Sequence, residues 1–330
     1  MAKGYKIVID TKGADRGPEM MIKGAVDALA KHESLEVLLV GDGALIKSEC
    51  EKHGAPMDRI EILDAPDEIT NYDSPAVAIF GKPESSLVKA LAALSERDDL
   101  VGMINAGSTG ALIAGAMRYL SGPERIRPAL AAVLPAASGG FTCLVDTGAT
   151  IDCTAQMLLH FAKLGTEFMR KYYSISNPRV GLLSNGAEPT KGNAVVKEAH
   201  ALLAADDSIN FIGNVEGNGA LSGSSDVLVC DGFAGNQVLK VSEGMARRII
   251  TDIVKYSKKT GDESIMKLVG YLMGIYDFNS LGGGIILGIT KPVIKAHGAA
   301  NEQSVVSTAG ILLNMVENKE IFDRTALEMK

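Results

Sequence analysis

The 330-residue sequence contains no tryptophan, only 5% aromatic residues and no excess of positive charge. A core so poor in aromatics must be packed from Ala, Val, Ile, Leu and Met, which suits helices laid closely on a parallel sheet. Lys and Arg number 33 against 40 Asp and Glu, a net charge of −7. That balance argues against general nucleic-acid binding, because a phosphate backbone demands a basic surface. Cysteine is scarce as well: Cys50, Cys143, Cys153 and Cys230 form no C-x-x-C pair. Reduced, mostly buried thiols in a cytoplasmic protein are expected, with neither disulfides nor a zinc site.

Long apolar runs are also missing. Met1 to Asp10 is too short and too quickly charged for a signal peptide. The most apolar stretch, Leu100 to Met117, is interrupted by Asn105, Ser108, Thr109 and four glycines. It reads as strand, turn and helix rather than as a membrane span, so no transmembrane segment is expected.

What the sequence has instead is a repeated unit: a short β-rich run, a Gly-containing polar turn, then a helical pattern. Tyr5–Asp10 leads through Thr11–Gly17 into Pro18–Lys31, and Leu35–Val40 through Gly41–Gly43 into Ala44–His53. The same order recurs at Val101–Leu120, Thr142–Tyr173, Val180–Ala205 and Val227–Tyr256, the last helix starting at Gln237. Alternation of this kind predicts a three-layer α/β/α fold with a mainly parallel sheet. In such folds ligands sit beyond the carboxyl ends of the strands, where each of these turns lies. Residues 237–280 differ. A long amphipathic pattern, a polar break at 258–263 and an apolar run from Ile265 to Phe278 predict a projecting helical hairpin, its apolar face hidden by a second subunit.

Four turns carry the candidate chemistry. Asn105-Ala-Gly-Ser-Thr-Gly-Ala111 joins a strand to a helix start, where Gly107 and Gly110 let backbone N–H groups close on an anion and Ser108 and Thr109 add hydroxyls. A tight capped turn without ligand accounts for the same residues. Ser184-Asn-Gly-Ala-Glu-Pro-Thr-Lys-Gly-Asn193 combines Asn185, Glu188, Lys191, Gly192 and Asn193 before a helix. Lys191 suits a phosphate oxyanion as a compact point charge, although the order is not that of a Walker A loop. Asp231-Gly-Phe-Ala-Gly-Asn236 follows an apolar strand and offers Asp231, Gly232 and Asn236, with Asp231 equally suited to capping. Cys230 reads as inert packing rather than as an acyl-accepting nucleophile. Lys291-Pro-Val-Ile-Lys-Ala-His-Gly298 reads as a polar turn placing Lys295 and His297 near a helix that starts at about Asn301. Asp10 and Asp15, and Asp146 after another strand, supply carboxylates with too few regularly spaced oxygens for a metal site.

In this order the turns resemble the PlsX family of acyl-acyl carrier protein:phosphate acyltransferases. The matching segments are Ile9–Asp15, Lys82–Ser86, Asn105–Ala111, Arg127–Pro128, Asp146–Thr150, Arg179–Asn193, Asn210–Glu216, Asp231–Asn236 and Pro292–Gly298. The first turn departs from the family's usual Asp-Ala-Met-Gly-Gly-Asp, and Ser108 stands where an Asn is usual. The resemblance implies one α/β domain over residues 1–330, like that of isocitrate and isopropylmalate dehydrogenases, and a homodimer. It also implies neither metal nor cofactor, and peripheral membrane contact through the hairpin. The implied reaction moves a fatty acyl group from acyl carrier protein to inorganic phosphate, for phospholipid synthesis.

On that reading the Asn105–Ala111 turn and Lys191 hold phosphate, His297 assists by hydrogen bonding, and Asp231 orients Lys191 or the pantetheine arm. Arg118, Arg125, Arg127, Arg247, Arg248 and Lys255 are candidates for steering an acidic carrier. The competing readings are a short-chain phosphate acetyl- or butyryltransferase using acyl-CoA, and a non-catalytic carrier-binding paralogue. A dehydrogenase is disfavoured because no G-x-G-x-x-G is followed by an acidic residue at Rossmann spacing.

Overall fold

The computed structural model describes residues 4–123, 126–276 and 283–317. The chain gathers into two compact units, one formed by Met1–Leu130, Arg170–Ser174 and Asn279–Lys330, the other by Ala131–Met169 and Ile175–Phe278.

The first unit opens with β1 (Tyr5–Asp10), α1 (Pro18–Lys31), β2 (Leu35–Gly41), α2 (Gly43–Lys52) and β3 (Ile60–Asp64). Pro18 starts α1 because the first turn needs no N–H from it. Asp42 caps α2, its carboxylate accepting from the Ala44 and Leu45 amides at 3.0 Å each. Next come α3 (Pro75–Gly81), α4 (Ser86–Glu96), β4 (Leu100–Asn105) and α5 (Thr109–Tyr119). The stretch from Leu100 to Met117 is thus strand, turn and helix, as expected from its composition.

β5 (Ala129–Pro135) carries the chain into the second unit, which continues with β6 (Phe141–Val145), α6 (Ala155–Tyr172), β7 (Arg179–Ser184) and α7 (Ala194–Ala204). It goes on through β8 (Asn210–Glu216), β9 (Val227–Val229), α8 (Gly232–Thr260) and α9 (Ile265–Tyr276). α8 begins at Gly232 rather than at Gln237, because the Asp231 carboxylate caps it by accepting from the Ala234 amide at 2.7 Å. The chain then returns to the first unit with β10 (Gly284–Leu287), β11 (Val293–Lys295) and α10 (Glu302–Glu317).

Within the first unit the strands lie in the order β3-β2-β1-β4-β11-β10, parallel except for the β10–β11 pair. Within the second the order is β5-β6-β9-β7-β8, parallel except for β5–β6. Both are the mainly parallel α/β arrangement expected. Parallel strands covered by helices are buried on both faces, which is why their sequences are continuously apolar. Ile7, Ile9, Leu38, Leu39 and Ile104 are wholly or almost wholly buried in the first unit. Leu134, Leu144, Val215 and Leu228 pack together in the second. Each such side chain contributes about 1.5–3 kcal/mol by leaving water.

Candidate functional site

In the first unit three neighbouring parallel strands end side by side: β1 at Asp10, β4 at Asn105 and β11 at Lys295, which pairs with Asn105 in register. Asn105 donates from Nδ2 to Oδ2 of Asp10 at 2.9 Å, and its Oδ1 accepts from the Gly107 amide at 3.0 Å. Asp10 also accepts from the Lys12 amide at 3.1 Å and from the Ser86 hydroxyl. Burial pushes the Asp10 carboxyl up to about 6, against the opposing pull of those donors. Lys295 holds the other side of the loop, its amine donating to the Ala106 and Ala296 carbonyls at 3.1 and 2.6 Å.

Lys295 therefore does not sit in a polar turn, as the sequence suggested. It ends a three-residue strand, is 9% exposed, and its amine is spent on backbone carbonyls. The loop so pinned delivers Ser108 to the N-cap of α5, followed by Thr109 and the exposed Gly110. The Ser108 hydroxyl makes no capping bond although the residue is buried. The unused α5 amides and this hydroxyl are what a negatively charged oxygen would take up. Gly13, in the turn after β1, packs its α-carbon against Gly107. The Asp15 amide donates to the Gly298 carbonyl at 2.9 Å, next to half-buried His297. The His297 Nδ1 accepts from the Ala299 amide at 3.3 Å.

In the second unit, Asp146 follows β6 fully buried, and its carboxylate gathers three backbone amides: Gly148 at 3.2 Å, Ala149 at 3.0 Å and Thr150 at 2.6 Å. Against this turn lies the start of α8, where the Gly232 amide donates to the Thr150 carbonyl at 2.8 Å. Asp231 is committed to its cap, and half-buried Asn236 sits one turn on. Cys230, 3% exposed, donates its thiol to the Asp146 carbonyl at 3.4 Å. Burial first, then the nearby Asp146 and Asp231 carboxylates, push that thiol well above its ordinary range.

The loop from β7 to α7 is closed by its own amides. Asn185 Oδ1 accepts from the Gly192 amide at 2.8 Å, and Asn193 caps α7 by accepting from the Val196 amide at 2.9 Å. The Lys191 amide donates to the Glu188 carbonyl at 3.0 Å, while Lys191, Glu188 and Asn193 are exposed. Among the described residues the Lys191 amine has no hydrogen-bond or ion-pair partner. The Ser184 hydroxyl, buried beside Gly192, likewise has none.

The structure thus joins Asp10, Asn105, Gly107 and Lys295 in one network of the first unit. In the second it joins Asp146 with Gly232 at the α8 start, and Asn185, Glu188, Lys191, Gly192 and Asn193 in one loop. Ser86, Ser184 and Asn214, whose Nδ2 donates to the Glu188 carbonyl at 2.8 Å, take part without having been singled out from the sequence. Beyond lying in segments that carry the family resemblance, their signal was a polar residue inside an otherwise apolar segment or at its edge. Of the basic candidates, Arg125 lies outside the described residues, as does Phe278 of the apolar run. Arg118 lies over the Phe80 ring at 4.3 Å, and Arg248 pairs with Asp252 at 2.7 Å. Among the described residues no cluster of three His, Cys, Asp or Glu could hold a metal ion, and no helix is long and apolar enough to cross a membrane.

Comparison with known proteins follows the same lines. The family model described as "Fatty acid synthesis protein" matches residues 5–321. The phosphate acyltransferase of Halothermothrix orenii is 39% identical over 327 residues, covering 96% of each chain. That of Clostridium novyi is 37% identical over 320 residues, covering 95% of each. Among solved structures, a phosphotransacetylase from Streptococcus pyogenes matches with a TM-score of 0.66 at 17% identity, over 97% of this chain and 95% of that one. A branched-chain phosphotransacylase from Enterococcus faecalis matches with a TM-score of 0.56 at 16% identity, over 94% and 99%. These two likenesses show a shared fold.

Proposed function

Because the chain belongs to the fatty acid synthesis protein family, a family of phosphate acyltransferases, we propose that it transfers a fatty acyl group from acyl carrier protein to inorganic phosphate. The observation that carries this reading is the Ser184–Asn193 loop. There an unpartnered Lys191 amine and an unpartnered buried Ser184 hydroxyl stand before the α7 N-terminus. A compact cation, a hydroxyl donor and a helix start are complementary to a phosphate dianion. Within the first unit, the α5 loop with its uncommitted Ser108 hydroxyl is by itself complementary to a negatively charged oxygen.

The chemistry asks little of a general base. A phosphate oxygen attacks the thioester carbonyl, the new C–O bond forms, and the C–S bond breaks. The thiolate leaves and takes up the proton carried by the monohydrogen phosphate, so the products are an acyl phosphate and the free carrier thiol. A thiol with an ordinary pKa of about 8.5 departs readily. The protein's work is to offset repulsion between phosphate and the developing oxyanion and to align the two reactants. Lys191 supplies the charge, and the Ser184–Asn193 loop supplies N–H and O–H donors held before the substrate arrives. No cofactor takes part.

The reading extends to partners. An exposed apolar face runs along α8 and α9, including Val241, Met245, Ile249, Leu268 and Tyr271, with a groove of about 440 Å³ between the two helices. A second copy of the chain covers this face in a cytoplasmic homodimer, and its outer end touches the membrane surface. The acyl phosphate, once released there, feeds phospholipid synthesis.

The test is to incubate the purified protein with phosphate and either acyl-carrier thioester or acyl-CoA, following thiol release and trapping the product as acyl hydroxamate. Phosphate-dependent hydroxamate with the carrier substrate is expected. Turnover with short-chain acyl-CoA alone would support the acetyl- or butyryltransferase reading, and no turnover a non-catalytic one. Lys191→Ala is expected to lose about 10²–10³ in rate with the fold retained.

A further inference from the structure

β8 does not alternate regularly. Against β7 its register runs Val180 with Phe211 and then Gly181 with Gly213, so Ile212 is one residue too many. Gly213 has φ of 95°, a backbone conformation open to glycine and costly to other residues. The extra residue changes the parity of the strand. Residues three apart point to opposite faces of an unbroken strand, so Phe211 and Asn214 would part. Here both face α7 and meet the same side chain. The His200 ring stands edge-on to Phe211 at 5.1 Å between centroids, and its Nδ1 lies 3.0 Å from Asn214 Oδ1.

Asn214 is 8% exposed, and both ends of its amide are used. Its Nδ2 donates to the Glu188 carbonyl at 2.8 Å, so its Oδ1 is the acceptor and His200 carries the proton on Nδ1. The carbonyl that takes the Asn214 amide also takes the Lys191 backbone N–H at 3.0 Å. His200, Asn214, the Glu188 carbonyl and the Lys191 backbone therefore form one continuous chain from the buried face of the sheet to an exposed loop. An apolar residue of similar size would fill the space of Asn214 without a desolvation cost. What it would not do is reach the loop.

The structure assigns Asn214 as the positioning residue for Lys191, with His200 fixing the orientation of its amide, a role that rests on Lys191 being the phosphate-binding cation. The bulge at Gly213 is the device that turns Asn214 toward the loop. Without this anchor the Glu188–Lys191 turn keeps a single internal hydrogen bond, and the Lys191 stem samples more positions than one phosphate can use.

Asn214→Asp isolates the contact, because the carboxylate still accepts from His200 but has no N–H for Glu188. In steady-state kinetics of the full chain it is expected to raise the KM for phosphate about tenfold or more, leaving the KM for the acyl donor within about twofold. In a Lys191→Ala background the same change is expected to add nothing. His200→Gln, which keeps an N–H for Asn214, is expected to stay near the wild-type KM, whereas His200→Leu raises it. An unchanged phosphate KM, or a full additive effect on top of Lys191→Ala, overturns the assignment. Should Asn214→Asp not fold, Gly213→Ala serves instead: nothing lies within 4 Å of the added methyl, so only the backbone angle is challenged. It is expected to give the same selective rise. Hydrogen exchange at the Lys191 amide supplies a readout independent of turnover, expected to quicken about tenfold in either variant and overturning the anchor if it does not. Wild-type protein that made no acyl phosphate would remove the functional reading, while the exchange result would still decide the anchor.

Discussion

Asn105 and Asp10 share a hydrogen bond of 2.9 Å between the ends of adjacent parallel strands, and the carboxylate that accepts it is 2% exposed. This bond ties the turn after β1 to the loop before α5. It also leaves the carboxylate in a place where desolvation outweighs the donors around it.

The Asp10 carboxyl is pushed up to about 6 in the folded protein, from an ordinary value of 3.8. The folded state therefore holds this proton more tightly than the unfolded state between pH 4 and 6. Stability contributed by the protonated group is present below pH 4 and is lost as pH rises through 6, a swing of about 3 kcal/mol. Asp10→Asn has no such proton. Urea unfolding of both proteins at pH 4 and pH 7 should show the variant gaining on the wild type by up to that amount at the higher pH. A constant difference would mean that Asp10 does not titrate in this window.

Gly13 has φ of 84°, and an added methyl would drive into the Gly107 α-carbon. Gly13→Ala should lower stability by about 2–4 kcal/mol, from backbone strain together with the clash. Gly54→Ala makes the control: its φ is 62°, and nothing lies within 4 Å of the new methyl. It should cost about 1 kcal/mol. Thermal melts of the two would separate strain from contact, and equal losses would deny the Gly13–Gly107 approach any role.

Asp146 satisfies three amides of its own turn from a fully buried position. Asp146→Asn keeps one acceptor oxygen and points an NH2 at a donor, which should cost about 2–3 kcal/mol. Asp146→Ala, which leaves all three amides unpaired, should cost more. Denaturant midpoints give the order. If Asn proves no better than Ala, the turn does not depend on those bonds.

Cys230 is buried, and its thiol is held well above the ordinary range, so it is a poor nucleophile at neutral pH. Cys230→Ala should keep turnover within about threefold of wild type. Iodoacetamide should label half-buried Cys153 before Cys230 in the native protein, read by mass spectrometry of the peptides. An acyl group found on Cys230 after mixing with acyl thioester alone would replace direct attack by phosphate with a two-step route.

What the sequence determined by itself was local. β1 and α1 fall where Tyr5–Asp10 and Pro18–Lys31 put them, because an apolar run ending in Asp10, a Gly-containing turn and a proline at the helix start are signals carried by neighbours in the chain. The turns bearing Asn105 and Lys191 were legible for the same reason, whereas the turn read after Asp231 is the start of α8. Tertiary structure alone decided the antiparallel β10–β11 and β5–β6 pairs, the placing of Lys295 in a strand, and the face that Asn214 presents. Three or four apolar residues show no period of their own, and a strand's partner is chosen by groups more than a hundred residues away, as when Lys295 pairs with Asn105. The direction of Asn214 depends on one extra residue in a register, and register exists only once β7 and β8 have met.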